Sequence, residues 1–109
     1  MPEDRKVLGQ SAPAAATLTG LYTVPGSTEA VISTFTVANR SPVATSFRMS
    51  VAPAGAGDDV KQYLYYDVAI PGNDTFAATL GLTLAATDVV RIYATLATLS
   101  FSIFGVELT

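Results

Sequence analysis

The chain has 109 residues and a formal charge of −3; half of its residues are hydrophobic, 14% are charged, and it contains neither histidine nor cysteine. That balance argues against nucleic-acid binding, which needs clustered Lys and Arg to displace counterions from phosphate, and it excludes disulfides. No run of about 18 apolar residues could cross a bilayer as a helix, and the charged opening Met-Pro-Glu-Asp-Arg-Lys leads to the expectation that no secretory leader is present.

A chain of this length is expected to form one domain with one core. With so few charges, its surface must consist largely of Thr, Ser, Ala and Gly. Such a surface costs little to desolvate, and burial against neighbouring protein is therefore expected.

Residues 1–16 carry Glu3, Asp4, Arg5 and Lys6 but no apolar period, and they are predicted to be an extended N-terminal arm. Within it, Val7, Leu8 and Gln10 form a small anchor that a solvated tail does not need, and they are candidate contacts to a neighbouring subunit. Residues 17–109 are predicted to be the folded domain. From Thr17 to Val24 the even positions share one face, and Pro25-Gly26-Ser27 ends the run.

Glu29 to Asn39 alternates next, with Val31, Phe35 and Val37 on one face. Asn39-Arg40-Ser41-Pro42 follows, and then Val43 to Ala52, where Val43, Thr45, Phe47, Met49 and Val51 form a dry face. These two runs are expected to form a hairpin. Pro53 to Asp59 reads as a flexible connection between sheets. Val60 to Ile70 alternates with Leu64, Tyr66, Val68 and Ile70 inward, which leaves Tyr63 and Tyr65 on the other face.

Thr75 to Leu84 places Phe76, Ala78, Leu80, Leu82 and Leu84 on one side, and Val89 to Leu96 sets Val90, Ile92 and Ala94 against Val89, Arg91 and Tyr93. The Leu- and Ala-rich stretch Thr79 to Ala86 has helical propensity, but its strict alternation favours a strand. The last run, Leu99 to Leu108, changes phase after Phe104, as expected of a strand covered on both sides or of a bulge near Gly105. Seven candidate strands at roughly ten-residue intervals predict an all-β, antiparallel β-sandwich, jelly-roll or Greek-key like.

No catalytic constellation stands out. A nucleophilic triad needs a base near neutral pH, usually histidine, and there is none. Asp58, Asp59, Asp67, Asp74 and Asp88 fall mostly at turns, where Asp caps backbone groups. The acidic loops match no EF-hand spacing, so neither a metal nor a cofactor is expected. Catalysis is not expected either.

The constellation that stands out is the outward phase of three strands: Tyr63 and Tyr65 on one, Arg91 and Tyr93 on another, Arg48 on a third. Tyr and Arg dominate interface hot spots because each offers a flat contact area with a polar tip. The same tyrosines could stack on sugar rings, although the absence of Trp counts against a carbohydrate-binding module.

The segments Leu8-Gly9-Gln10-Ser11-Ala12-Pro13, Leu21-Tyr22-Thr23-Val24-Pro25, Val37-Ala38-Asn39-Arg40-Ser41, Val51-Ala52-Pro53-Ala54-Gly55, Lys61-Gln62-Tyr63-Leu64-Tyr65-Tyr66-Asp67 and Asn73-Asp74-Thr75 span nearly the whole chain. Together they resemble small virion structural proteins of tailed bacteriophages. The resemblance implies a capsid decoration, or cement, protein made in the host cytoplasm and carried on the virion. Its partners would be the major capsid protein or other virion proteins and further copies of itself, with a trimer favoured. A tail, baseplate or fibre-attachment component is the alternative, and no small-molecule ligand is implied.

Overall fold

Apolar side chains on every second residue stay dry only if a second sheet covers them, and the strands of this chain meet that need by facing one another in two layers. The computed structural model describes residues 3–109. It contains β1 (Glu3–Ser11), β2 (Thr19–Thr23), β3 (Glu29–Asn39), β4 (Thr45–Ala52), β5 (Tyr63–Ile70), β6 (Thr75–Leu84), β7 (Val89–Ala94) and β8 (Leu99–Leu108), with single 3-10 turns at Pro53–Gly55 and Val60–Gln62. Two four-stranded antiparallel sheets result, the first in the order β1-β8-β3-β6 and the second in the order β2-β7-β4-β5.

One core lies between them. Phe35 of β3 and Phe101 of β8 come from the first sheet and Phe47 of β4 from the second, each at most 1% exposed. Phe35 meets Phe47 edge-on across the layers at 5.9 Å, and Phe76 lies 5.1 Å from Phe47. Rings of this size each bury on the order of 150–250 Å² and prefer such tilted contacts.

The chain changes sheet at nearly every turn, and only β4 and β5 are consecutive strands paired with each other. Two expectations are corrected by this. First, β3 and β4 are not a hairpin but lie in opposite sheets. The buried Asn39 makes the crossing, its Nδ2 donating to the carbonyls of Val43 (2.9 Å) and Pro71 (3.2 Å) while its Oδ1 accepts from the Ser41 amide (3.1 Å). One amide side chain thus ties two crossing loops together.

Second, the segment after β4 joins neighbours within one sheet instead of passing between sheets. It is also pinned. Arg91 donates to the carbonyls of Ala56 (2.9 Å) and Gly55 (3.3 Å), and the Asp88 carboxylate accepts from the amides of Ala54 and Ala85 (both 2.9 Å).

The expected arm is corrected as well. Glu3–Ser11 is an edge strand of the first sheet, with Glu3 opposite Leu108 and Ser11 opposite Phe101; Met1 and Pro2 lie outside the described residues. Its polar positions hid the strand because an edge has less apolar surface to cover. The phase change in β8 has a related cause. The extra residues sit on its neighbours, Leu8 on β1 and Ser33 on β3, on either side of the Ile103–Gly105 stretch. Phe104, Val106 and Leu108 therefore lie on the outer face, each partly covered. The Ser33 hydroxyl donates to the Phe104 carbonyl (3.2 Å), and a Cβ on Gly105 would come within 2.0 Å of the Val31 carbonyl oxygen, so only glycine fits this close approach.

Candidate functional site

The outer face of the second sheet gathers three of the side chains that the sequence singles out, Arg48, Tyr63 and Tyr93. β4 turns Ser46 and Arg48 outward because Phe47 and Met49 are claimed by the core. Arg48 pairs in register with Tyr93 of β7 and is flanked on the other side by β5. Its Nε donates to Asp67 Oδ1 at 2.7 Å and its Nη2 to Asp67 Oδ2 at 3.3 Å, a forked pairing that fixes the plane of the guanidinium. Held in that plane, the guanidinium carbon lies 4.1 Å from the centre of the Tyr66 ring and 4.4 Å from that of Tyr93. Both distances suit attraction between a cation and the negative face of a ring.

Tyr63 extends the group, meeting Tyr66 edge-on at 5.2 Å and donating its hydroxyl to Asp58 Oδ2 at 3.1 Å. Partial burial and the hydrogen bond to Asp58 raise the pKa of the Tyr63 phenol above its ordinary value. Asp67 raises that of Arg48, and the guanidinium is a fixed charge in any case. The surface is thus a row of rings and one restrained cation. Such a row is suited to flat contact.

One expected member belongs elsewhere. Tyr65 points into the core, stacked 5.7 Å from Phe35 and edge-on to Phe76 at 5.3 Å, and Tyr66, 57% exposed, takes its place on the platform. The register of β5 against β4 slips on either side of the Met49–Tyr65 pair, and Asp67 adopts φ 52, a left-handed conformation that Asp tolerates better than most residues. The slip reverses the faces assigned to Leu64, Tyr65 and Tyr66. An Asp interrupting an aromatic run is the sequence mark of such a bulge, and it also supplies the partner of Arg48.

The remaining expected residues are placed apart from this group. Arg91 is committed to the loop carbonyls already described. Val7, Leu8 and Gln10 belong to β1 on the other sheet: Val7 is 47% exposed, Leu8 packs against the core, and the Gln10 amide donates to Ser102 Oγ at 3.3 Å.

A second polar cluster, not foreseen from the sequence, joins the two sheets at one end. The Tyr22 hydroxyl of β2 donates to Glu107 Oε2 of β8 at 2.5 Å, and Lys6 Nζ of β1 lies 2.8 Å from Glu107 Oε1 and 3.1 Å from Asp4. The lysine and the phenol both stabilise the carboxylate and hold the pKa of Glu107 below its ordinary value. The hydrogen bond that Lys6 donates to Glu107 raises the pKa of Lys6, while burial first and Glu107 second push that of Tyr22 well up.

Of the acidic residues, Asp59 accepts from the Lys61 amide and Asp74 from the Thr75 amide, both as turn caps. Among the described residues, no three acidic side chains converge in a way that could hold a cation. No protein-family model, no curated protein and no solved structure matches this chain.

Proposed function

We propose that this protein is a structural component of a tailed-bacteriophage virion, a decoration protein that binds the outer shell through protein–protein contacts. The observation that carries the reading is the strand order, β1-β8-β3-β6 over β2-β7-β4-β5, which we read as a jelly roll of eight strands. Jelly rolls recur in viral capsid proteins and lectins, a warrant by fold analogy. The composition and the platform narrow the choice.

With 14% of its residues charged, the chain has little to desolvate on docking. The Arg48–Asp67 pair is already formed, so a partner meets a preorganised group and less side-chain entropy is lost. Decoration would then be mechanical: apolar area covered across seams contributes about 25 cal/mol per Å², and repetition around a shell multiplies small gains per copy. The carbohydrate reading has less support, because the Arg48 guanidinium occupies a face of both Tyr66 and Tyr93 that a sugar would use.

The test is to locate the chain in an electron-microscopy map of the intact particle. Density for this fold on the outer surface of the head, with the Tyr66 and Tyr93 face against shell protein, is the expected result. Density in the tail or fibres would transfer the protein to the alternative location. Absence from the particle would overturn both.

A further inference from the structure

Four strands border the two sheets: β1 and β6 in the first, β2 and β5 in the second. A border strand presents a row of free amide and carbonyl groups, and proteins discourage unwanted pairing there with charge, bulges or brevity. β1 carries Glu3, Asp4, Arg5 and Lys6 in succession, with a register slip at Leu8. β2 is five residues long and slips at Leu21. β5 slips against β4 and is turned by Asp67 at φ 52.

β6 shares only the slip, two of its residues, Leu80 and Gly81, lying opposite Ser33 of β3. Its ten residues contain no charge and no proline, and it pairs with β3 alone. The register with β3 shifts opposite Ser33, yet exposed and covered positions alternate along β6 without a break. Thr75, Ala77, Thr79, Gly81 and Thr83 form the exposed row. On the inner row Phe76, Leu80 and Leu82 pack against the core but remain partly exposed, since no strand lies beyond them.

We propose that β6 is the seam of a twofold dimer, in which the β6 strands of two copies pair antiparallel and join two four-stranded sheets into one continuous sheet. The occupant is a second copy because a twofold seam sets each residue against one from the same strand. A charge near the axis would face its own like, and β6 has none to repel. A register with its axis at Leu80 keeps inner row on inner row: Leu80 meets Leu80, Ala78 meets Leu82, and Phe76 meets Leu84. On the outer row Thr79 meets Gly81 and Ala77 meets Thr83, small against small.

The partly exposed Phe76, Leu80 and Leu82 then gain cover. A charged foreign strand, by contrast, would find no counter-charge on β6 or on the adjoining outward positions Val31, Ser33, Thr34, Thr36 and Ala38, the exposed Glu29 of β3 lying past Ala30, which pairs with the last residue of β6. The seam gives a geometry to the contact between copies that the resemblance implies, as a twofold pair in place of a trimer. It does not depend on a phage shell.

Sedimentation equilibrium on the purified chain, with no particle present, reads the seam directly. The wild type is expected at the dimer mass, Thr79→Lys at the monomer mass with an unchanged far-ultraviolet spectrum, and a mixture of Thr79→Lys with Thr79→Glu back at the dimer mass. Hydrogen exchange on the wild type gives a second readout that needs no variant: β6 amides should exchange more slowly as concentration rises. A wild type that stays monomeric across the micromolar range, or β6 exchange that ignores concentration, would overturn the proposal. A monomer that still coats shells would sink the seam alone, whereas a dimer that ignores them would sink the decoration reading alone.

Discussion

The two outer faces of the molecule are built on different principles. The second sheet presents fixed side chains: Arg48 is locked by Asp67 between two rings, and Tyr63 is tethered to Asp58. On the first sheet, the exposed residues of β6 are threonine, alanine and glycine, β3 beside it adds Ser33 and, past the end of β6, Glu29, and what β6 leaves accessible is backbone. A side-chain surface selects its partner by chemistry and can be abolished by one substitution. A backbone edge accepts any uncharged strand of matching alternation, so its selectivity must come from geometry and the absence of charge.

The deepest way to break this contrast is to remove the core that both faces share. Phe35→Ala deletes a fully buried ring packed against Phe47, Tyr65, Phe76 and Phe101, and it should cost about 3–5 kcal/mol in urea unfolding. Both faces should then lose binding together. Gly105→Ala acts on the first sheet alone: its methyl would press on the Val31 carbonyl, and a loss of about 1–3 kcal/mol is expected, as for other overpacked sites. Hydrogen exchange should show the added opening in β3 and β8 while β4 and β7 keep their protection.

The cluster between the sheets sharpens the comparison through pH. Glu107 has a folded pKa below its ordinary 4.5, so it binds protons more weakly folded than unfolded. Its stabilising effect is complete above that value and is lost as pH falls through the folded pKa. Glu107→Gln should therefore flatten the acid limb of the stability curve below about pH 4.5. At the other extreme, Lys6 and Tyr22 both have raised pKa values, so stability should decline as pH climbs past about 10. Tyr22→Phe should soften that alkaline decline, as read by thermal unfolding against pH.

The smallest effect on stability and the cleanest on function is expected from Arg48→Ala. Its ion pair lies at the surface, with the arginine side chain 24% exposed, so the fold should change by within about 1 kcal/mol. Binding to the partner of the second sheet should nevertheless fall by more than tenfold, the scale of an interface hot spot. Arg48→Lys should rescue it poorly, because an ammonium cannot fork onto Asp67 while lying flat between Tyr66 and Tyr93.

Strand positions were legible in the sequence wherever both rows of a strand had something to declare. Glu29–Asn39, Thr75–Leu84 and Leu99–Leu108 occupy the spans that their alternation predicts. β1 was not, since an edge strand can carry charge on consecutive residues and still pair through its backbone. Pairing partners were not legible either: a short polar turn such as Asn39 to Pro42 can close a hairpin or arch between layers, and only the buried bonds of Asn39 decide between them.

The platform was legible as a composition, Tyr and Arg on adjacent strands, but not as a roster. Period-two counting fails across a bulge, so it assigned Tyr65 to the surface and Tyr66 to the interior. The cluster of Lys6, Tyr22 and Glu107 joins residues from opposite ends of the chain, and no local pattern announces it.

The pairing of Glu3 with Leu108 has a consequence for the order of events during synthesis. The first sheet has β8 between β1 and β3, so β1 has no partner in its sheet until β8 has been made, whereas β3 can already pair with β6. Closure across nearly the whole chain makes for slow folding, on a scale of milliseconds to seconds. During that delay the β3–β6 pair lacks β8 beside it, and the uncharged edge of β6 is safest if nascent chains are kept apart.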